Sequence, residues 1–153
     1  MNLCCDVLKS LHGKTLATAE SCTGGMIGAA LTAVPGSSAT YKGGVISYTN
    51  QVKNGILGVP LEILDQFGAV SAPVAKAMAS GARGVLEADV AISVTGLAGP
   101  GGDEFGNRVG TVYVGYADAK RCIVKHFLFE GGREQVRSQA VEAALKIILE
   151  YQT

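Results

Sequence analysis

Apolar residues recur along this chain at two spacings, one typical of amphipathic helices and the other of buried strands. Helical spacing predicts helices over residues 3–12, 23–34 and 71–86 and from residue 133 onward, with one or two helical turns over 60–67. Apolar runs predict strands over residues 15–21, 41–48, 89–96, 110–118 and 121–131. Strands therefore alternate with helices through most of the chain, which closes with two strands and a helix.

The order of these elements predicts the fold class. Alternating strands and helices favour parallel pairing, because parallel strands need long crossover connections. The last two strands are separated only by a tight turn near Ala119 and Lys120, so they should pair as a hairpin. We therefore expect an α/β protein, a single three-layer domain over residues 1–153. Its sheet should be mixed and mostly parallel, with helices on both faces and a C-terminal hairpin plus helix.

Composition and charge narrow the range of functions. A chain of 153 residues with 48% hydrophobic content can bury a sufficient core without disulfides or metals. Thirteen basic residues balance thirteen acidic ones, which argues against nucleic acid or an anionic membrane as a partner. The four cysteines show no CxxC spacing, and no secretory signal or long apolar segment is present. We therefore expect a cytoplasmic protein with reduced thiols.

Three polar turns follow predicted strands, at residues 20–25, 48–53 and 95–106. Ligands of open α/β sheets bind beyond the carboxyl ends of strands, so these turns are the predicted site. The first turn places Ser21 before a predicted helix, whose first N–H groups, from Cys22 to Gly25, are expected to hold an oxyanion or a phosphate. The alternative is that Ser21 and Thr23 only cap this helix.

A serine nucleophile in this chain needs a base other than histidine. The sequence lacks G-x-S-x-G, and its two histidines, His12 and His126, lie in a predicted opening helix and a hairpin strand, so a Ser-His-Asp triad is not expected. Tyr48 and Lys53 follow a neighbouring strand and are the candidates to take up the proton of Ser21. A lysine base needs its pKa lowered by roughly three units, which desolvation in a pocket can provide. The alternative is a solvated Lys53 on a helix surface.

The glycine-rich segment 96–106 contains neither nucleotide-binding fingerprint. Its position is more informative, because Thr95 ends the most apolar strand and the glycines after it allow backbone N–H groups to approach a ligand. Asp103 and Glu104 in this segment are candidate cation ligands, with solvated loop acids as the alternative.

Two arginines lie at the start of the last predicted helix, Arg133 and Arg137. Cations at a helix N-terminus oppose its dipole, and a bound anion would remove that conflict. Both are therefore candidates for binding a phosphate or a carboxylate, with ordinary surface charge as the alternative. Cys22, next to Ser21, is interpreted as an apolar packing residue rather than as a nucleophile.

Four motifs occur in consistent order: ATAESCTGG (17–25), YTNQVK (48–53), GAVSAPV (68–74) and SVTGLAGPGG (93–102). Together they resemble the CinA C-terminal domain family, the nicotinamide-nucleotide amidase group, over about residues 3–150. The resemblance implies hydrolysis of the carboxamide of nicotinamide mononucleotide to nicotinate mononucleotide and ammonia, with no metal and no organic cofactor. Because some members carry an additional N-terminal domain, the chain is interpreted as a stand-alone form.

The resemblance also implies residue roles. Ser21 matches the family's nucleophile, Lys53 its general base, and Tyr48 a hydroxyl that orients or relays the proton. An arginine of the last helix is expected to hold the substrate phosphate, and the sequence does not choose between the two candidates. The substrate-binding residues expected are Thr23, Gly24, Gly25, Thr95, Gly96, Gly99, Arg133 and Arg137.

Two other functions stay open at this stage. The same glycine loops and the absence of a catalytic histidine fit a non-catalytic nucleotide-binding or regulatory module. An interaction protein of DNA uptake or repair is suggested only by the competence-related family name, and the zero net charge weighs against it. For the enzyme we expect a small-molecule substrate, no nucleic-acid or membrane partner, and a homo-oligomer.

Overall fold

A computed structural model describes residues 2–153. The helices are α1 (Leu3–Ser10), α2 (Met26–Thr32), α3 (Asn50–Gly55), α4 (Leu61–Phe67), α5 (Ala72–Val85) and α6 (Arg133–Gln152). The strands are β1 (Leu16–Glu20), β2 (Tyr41–Ile46), β3 (Val90–Gly96), β4 (Thr111–Ala117) and β5 (Cys122–Leu128). A short 3₁₀ turn over Ser37–Ala39 precedes β2. Each predicted strand and helix is therefore present, with ends shifted by a few residues.

The strands form one mixed sheet in the order β2-β1-β3-β4-β5. β1 pairs in parallel with both β2 and β3, and β4 pairs antiparallel with both β3 and β5. Four of the five strands thus run in one direction, although only two of the four neighbouring pairs are parallel. The predicted α/β class and the C-terminal hairpin are confirmed.

Helices cover both faces of the sheet, as predicted. α1, α2 and α6 pack together on one face, and α5, supported by α4, packs on the other. The alternation of side chains along a strand divides the core between the two faces. In β3, Val90, Ile92 and Val94 belong to the cluster under α1 and α6, whereas Ala91 belongs to the cluster under α5.

Local side-chain bonds explain where several helices begin. The Asn2 side chain accepts a bond from Cys4 N at 2.8 Å and begins α1. The hydroxyl of Thr49 accepts a bond from Val52 N at 3.3 Å and begins α3. α2 begins at Met26, three residues later than predicted, because Gly25 has φ 103° and residues 22–25 form a turn.

None of the helices in the described part of the chain is both long and apolar enough to cross a membrane.

Candidate active site

The three turns singled out by the sequence meet at one edge of the sheet. The parallel register places Glu20 of β1 beside Ile46 of β2 and Val94 of β3, so the carboxyl ends of these strands are level. A cavity of about 390 Å³ opens beyond them. Its walls include Ser21, Tyr48, Lys53, Thr95, Gly99 and Arg133. These six residues and Gly96 are seven of the eleven predicted site residues.

The central contact of this cavity joins Lys53 to Ser21. Lys53 Nζ lies 3.0 Å from Ser21 Oγ and donates a second bond of 2.7 Å to the carbonyl oxygen of Ser47. Only 1% of Lys53 is exposed, so the alternative of a solvated lysine on a helix surface is wrong. The short helix α3, which Thr49 caps, carries Lys53 on its buried side.

Burial changes the protonation of this lysine. Desolvation lowers the pKa of Lys53 from its ordinary value of 10.5 to about 8, because the charged ammonium loses its hydration inside the protein. The shift is close to the depression that a lysine base needs. At a pKa of about 8, roughly one molecule in ten carries neutral Lys53 at pH 7. This neutral amine is placed to accept the proton of Ser21.

Cys22, the residue after Ser21, does not have the properties of a nucleophile. It is 5% exposed and belongs to the core cluster under α1 and α6. Burial raises the pKa of the Cys22 thiol to about 11, so the reactive thiolate is scarce near neutral pH. The interpretation of Cys22 as a packing residue is confirmed.

Tyr48 and Arg133 form the outer wall of the cavity. Arg133, the first residue of α6, donates through Nη1 to the carbonyl oxygen of Gly99 at 2.9 Å and through Nη2 to the hydroxyl of Tyr48 at 3.3 Å. Tyr48 is 60% exposed, and its hydroxyl bonds to Arg133 rather than to Lys53 or Ser21. The pair therefore presents a cation and a hydroxyl at the cavity mouth, where an anionic group of a ligand can bind.

Arg137 lies outside this cavity. Its guanidinium donates to the carbonyl oxygens of Cys22, at 2.8 Å from Nε, and Thr23, at 3.4 Å from Nη2. The two arginines left open by the sequence thus have different surroundings. Arg133 faces the cavity, and Arg137 contacts the backbone of the turn that carries Ser21.

The expectation of free N–H groups from Cys22 to Gly25 is wrong for the second half of this turn. Gly24 N donates to Ser21 O at 3.0 Å, and Gly25 N donates to a Glu20 carboxylate oxygen at 3.2 Å. The Thr23 hydroxyl is buried and also donates to Glu20, at 2.7 Å. Thr23, Gly24 and Gly25 therefore shape the turn from outside the cavity. Among the described residues, only Cys22 N and Thr23 N of this turn lack a hydrogen-bond partner.

Glu20 is the functional residue that the sequence analysis missed. It is 2% exposed, and its carboxylate accepts bonds from the first N–H groups of α2, including Ile27 N at 2.9 Å and Gly28 N at 3.0 Å. A carboxylate at this position satisfies the unpaired donors and the positive end of the helix dipole. The signal was present in the sequence, because an acidic residue ends an apolar strand just before a helix that has no side-chain cap of its own.

The glycine-rich loop after β3 is shaped by contacts within the protein. The Thr95 hydroxyl donates to the carbonyl oxygen of Ala69 at 2.7 Å and ties this strand end to the loop before α5. Gly96 packs against β4, where an added Cβ would lie 2.7 Å from a methyl group of Val112. Gly99, with φ +93°, turns its carbonyl oxygen to Arg133. These residues hold the cavity wall in place.

One of the two acidic residues of this loop, Asp103, binds groups of the loop itself. Asp103 accepts bonds from the backbone N–H groups of Phe105 and Asn107 and from the side chain of Asn107. Within residues 2–153, no group of three or more His, Cys, Asp or Glu side chains is arranged to hold a metal ion. The cation site considered for Asp103 and Glu104 therefore has no ligand cluster in the described chain.

Comparison with known proteins assigns the chain to a family. The CinA C-terminal domain family matches residues 3–152. A CinA-like protein of Synechococcus sp. strain CC9902 is 52% identical over 135 residues, which are 87% of this chain and 32% of that protein. A putative competence-damage inducible protein of Desulforudis audaxviator is 46% identical over 136 residues, 89% of this chain and 33% of that protein. The chain thus spans about a third of the length of these curated relatives.

Solved structures agree with this assignment. A CinA superfamily protein of Klebsiella pneumoniae superposes with a TM-score of 0.95 at 36% identity, covering 98% of this chain and 95% of that one. The competence/damage inducible protein CihA of Agrobacterium tumefaciens gives a TM-score of 0.95 at 37% identity, with 99% and 94% covered. The chain belongs to the CinA C-terminal domain family.

Proposed function

We propose that this chain is a serine amidase that hydrolyses the carboxamide of nicotinamide mononucleotide to nicotinate mononucleotide and ammonia. The observation that carries the proposal is the 3.0 Å contact between Ser21 Oγ and Lys53 Nζ, with Lys53 only 1% exposed. A buried amine beside a hydroxyl is the combination that a serine nucleophile needs when no histidine is near. The substrate follows from the resemblance of the motifs around these residues to the amidase group.

The geometry gives each group a step. Neutral Lys53 takes the proton from Ser21 Oγ as this oxygen attacks the amide carbon, and the carbonyl oxygen gains a negative charge. Cys22 N, which has no partner among the described residues and belongs to a residue lining the cavity, is the proposed donor to this oxyanion. The Lys53 ammonium then gives its proton to the amide nitrogen, the C–N bond breaks, and the nitrogen leaves as ammonia. Water cleaves the resulting ester, returning a proton to Ser21 through Lys53.

The cavity mouth is proposed to bind the phosphate. Arg133 and the hydroxyl of Tyr48 lie 3.3 Å apart at the mouth, while the proposed nucleophile lies inside, so a small nucleotide can place its anionic end outward and its amide inward. A cavity of about 390 Å³ lies within the usual range for small-molecule sites. Tyr48 is thus proposed to orient the substrate. No step of this mechanism needs a metal or an organic cofactor.

Ammonia release from nicotinamide mononucleotide tests the proposal. We expect Ser21→Ala and Lys53→Met to lower kcat by at least about 1,000-fold, because each removes a group that acts directly on the reacting atoms. Ser38→Ala, which changes an exposed serine of the 3₁₀ turn, is the matched control and should retain full activity. The activity should also persist with a chelator present.

The outcomes separate the candidate functions. An active Ser21→Ala variant would exclude the serine mechanism. Tight binding of nicotinamide mononucleotide without any turnover by the native chain would favour the non-catalytic nucleotide-binding module. Salt-sensitive binding of DNA by the isolated chain would instead support the interaction protein, since phosphate contacts make such binding salt-dependent.

A further inference from the structure

The turn that carries Ser21 is held by a charged side chain from the far end of the chain. Arg137 of α6 donates from Nε to Cys22 O at 2.8 Å and from Nη2 to Thr23 O at 3.4 Å. The guanidinium is half-buried and packs over Gly24, where an added Cβ would lie 3.4 Å from Nη2. A planar guanidinium with several donors suits two neighbouring carbonyl oxygens, which the single ammonium of a lysine matches less well.

Glu20 holds the same turn from the other side. Its buried carboxylate accepts from the Thr23 hydroxyl at 2.7 Å and from Gly25 N at 3.2 Å. The carbonyl groups of Cys22 and Thr23 are thus bound by a cation, and the N–H of Gly25 is bound by an anion. Glu20 is 2% exposed, and neither Glu20 nor Arg137 lines the cavity, so neither charge faces the space in which a substrate would bind.

These contacts fix the orientation of the peptide groups next to the nucleophile. The peptide bonds of this turn are trans, and in a trans peptide the N–H points away from the C=O. Arg137 holds the carbonyl of the peptide between Cys22 and Thr23, so the N–H of Thr23 points away from α6. The Cys22 N–H is oriented in the same way, because Ser21 O accepts a bond from Gly24 N at 3.0 Å.

We propose that Arg137 is a positioning residue for the amidase reaction, which orients Ser21 and the adjacent N–H groups and does not bind the substrate. This inference rests on the proposed serine mechanism. Arg133, one turn earlier on the same helix, binds the anionic end of the substrate. Two arginines four residues apart thus act on different steps, one on substrate binding and one on the chemical step.

Steady-state kinetics of two matched variants test this division. We expect Arg137→Met to lower kcat about 10- to 100-fold with KM changed less than about 3-fold, since hydrogen bonds from a charged donor are lost without loss of a substrate contact. Arg133→Met should instead raise KM about 10-fold or more with a smaller effect on kcat. Arg137→Lys, which keeps the charge but places its donors on a single nitrogen, should recover part of kcat. Lys146→Met removes an exposed cation from the same helix and should change neither constant.

Labelling of Ser21 by a fluorophosphonate separates this inference from the proposed function. In that reaction Ser21 Oγ forms a bond to phosphorus, fluoride leaves, and Lys53 accepts the proton. Arg137→Met should be labelled about 10-fold or more slowly than the native chain, and the control Lys146→Met at the native rate, with thermal unfolding showing that both are folded. If the native chain is labelled but releases no ammonia, the proposed function fails and this comparison still tests Arg137. A raised KM with native kcat and native labelling in Arg137→Met would overturn the inference.

Discussion

At the scale of single residues, Lys53 is the least expected feature of this protein. Lysine is rarely buried, because the ammonium loses its hydration inside the protein. The structure surrounds Lys53 Nζ with only two oxygen acceptors, Ser21 Oγ and Ser47 O. No carboxylate is among its hydrogen-bond or ion-pair partners in the described chain, so the charge is poorly compensated and the pKa falls to about 8.

The lowered pKa of Lys53 predicts the pH dependence of activity. In the proposed mechanism Lys53 acts as a base in its neutral form, so kcat/KM should rise about tenfold per pH unit below pH 8 and level off above it. Lys53→Arg should be inactive throughout, because arginine stays protonated. A pH–rate profile between pH 6 and about 9.5 checks this prediction. A flat profile in the native chain would show that Lys53 is not the base.

At the scale of elements, the start of α2 connects the fold to the site. This helix has Gly25 at its N-cap position with no side-chain cap, and Glu20 from the end of β1 takes the role of the cap. One carboxylate therefore joins the strand, the turn that carries Ser21 and the helix. A strand-to-helix turn with two left-handed glycines, Gly24 and Gly25, would otherwise be flexible.

Replacement of Glu20 should weaken this connection. Glu20→Gln keeps the size of the side chain but turns an NH₂ group toward N–H donors of the helix, so we expect the free energy of unfolding to fall by about 1 to 3 kcal/mol. Glu62→Gln, at the exposed first turn of α4, is the control and should change it by less than about 0.5 kcal/mol. Urea denaturation measures both. Equal stability of the two variants would contradict the assigned role of Glu20.

At the scale of the whole molecule, the cavity depends on segments far apart in the chain. Ser21 follows β1, Lys53 lies on α3, Gly99 follows β3, and Arg133 begins α6. The sheet brings the first three together by the level register of its parallel strands. Arg133 is brought to the cavity by the packing of α6 on α1 and α2. Placing an uncompensated lysine in this cavity lowers the stability of the entire fold.

The contribution of Lys53 to stability should therefore increase with pH in the alkaline range. The folded-state pKa of Lys53, about 8, is below its unfolded value, so between about pH 8 and 10.5 the unfolded chain binds a proton that the native chain has released. The resulting linkage favours the native state as pH rises, by about 2 to 3 kcal/mol between pH 7 and 10. Urea denaturation of the native chain and of Lys53→Met measures the difference. The variant should lack this contribution, and identical pH dependence of the two would show that the pKa of Lys53 is not lowered.

The class of fold and most members of the site could be predicted from the order of residues alone. Period and order of apolar residues were sufficient, because buried strands and amphipathic helices need those patterns wherever they pack. Ser21, Lys53 and Thr95 were found because polar residues that follow apolar strands lie at one edge of a parallel sheet. The turn residues Thr23, Gly24 and Gly25 were predicted to contact the ligand through N–H groups at the start of a helix, and the structure places them outside the cavity.

The environment of each charged side chain depends on how the elements pack in three dimensions and could not be predicted from the order of residues. The sequence could not separate Arg133 from Arg137, because residues four positions apart lie on the same side of a helix. Only the packed structure shows which neighbouring segment each arginine contacts. The sequence could not show that Lys53 is buried, because burial of a long side chain depends on the loops that cover it. It also left Glu20 unassigned, since the donors that bind its carboxylate come together only when α2 has packed against the end of β1. Contacts between distant segments set the protonation of Lys53 and the orientation of the two arginines and Glu20. The pattern of apolar and polar residues along the chain does not show these contacts directly.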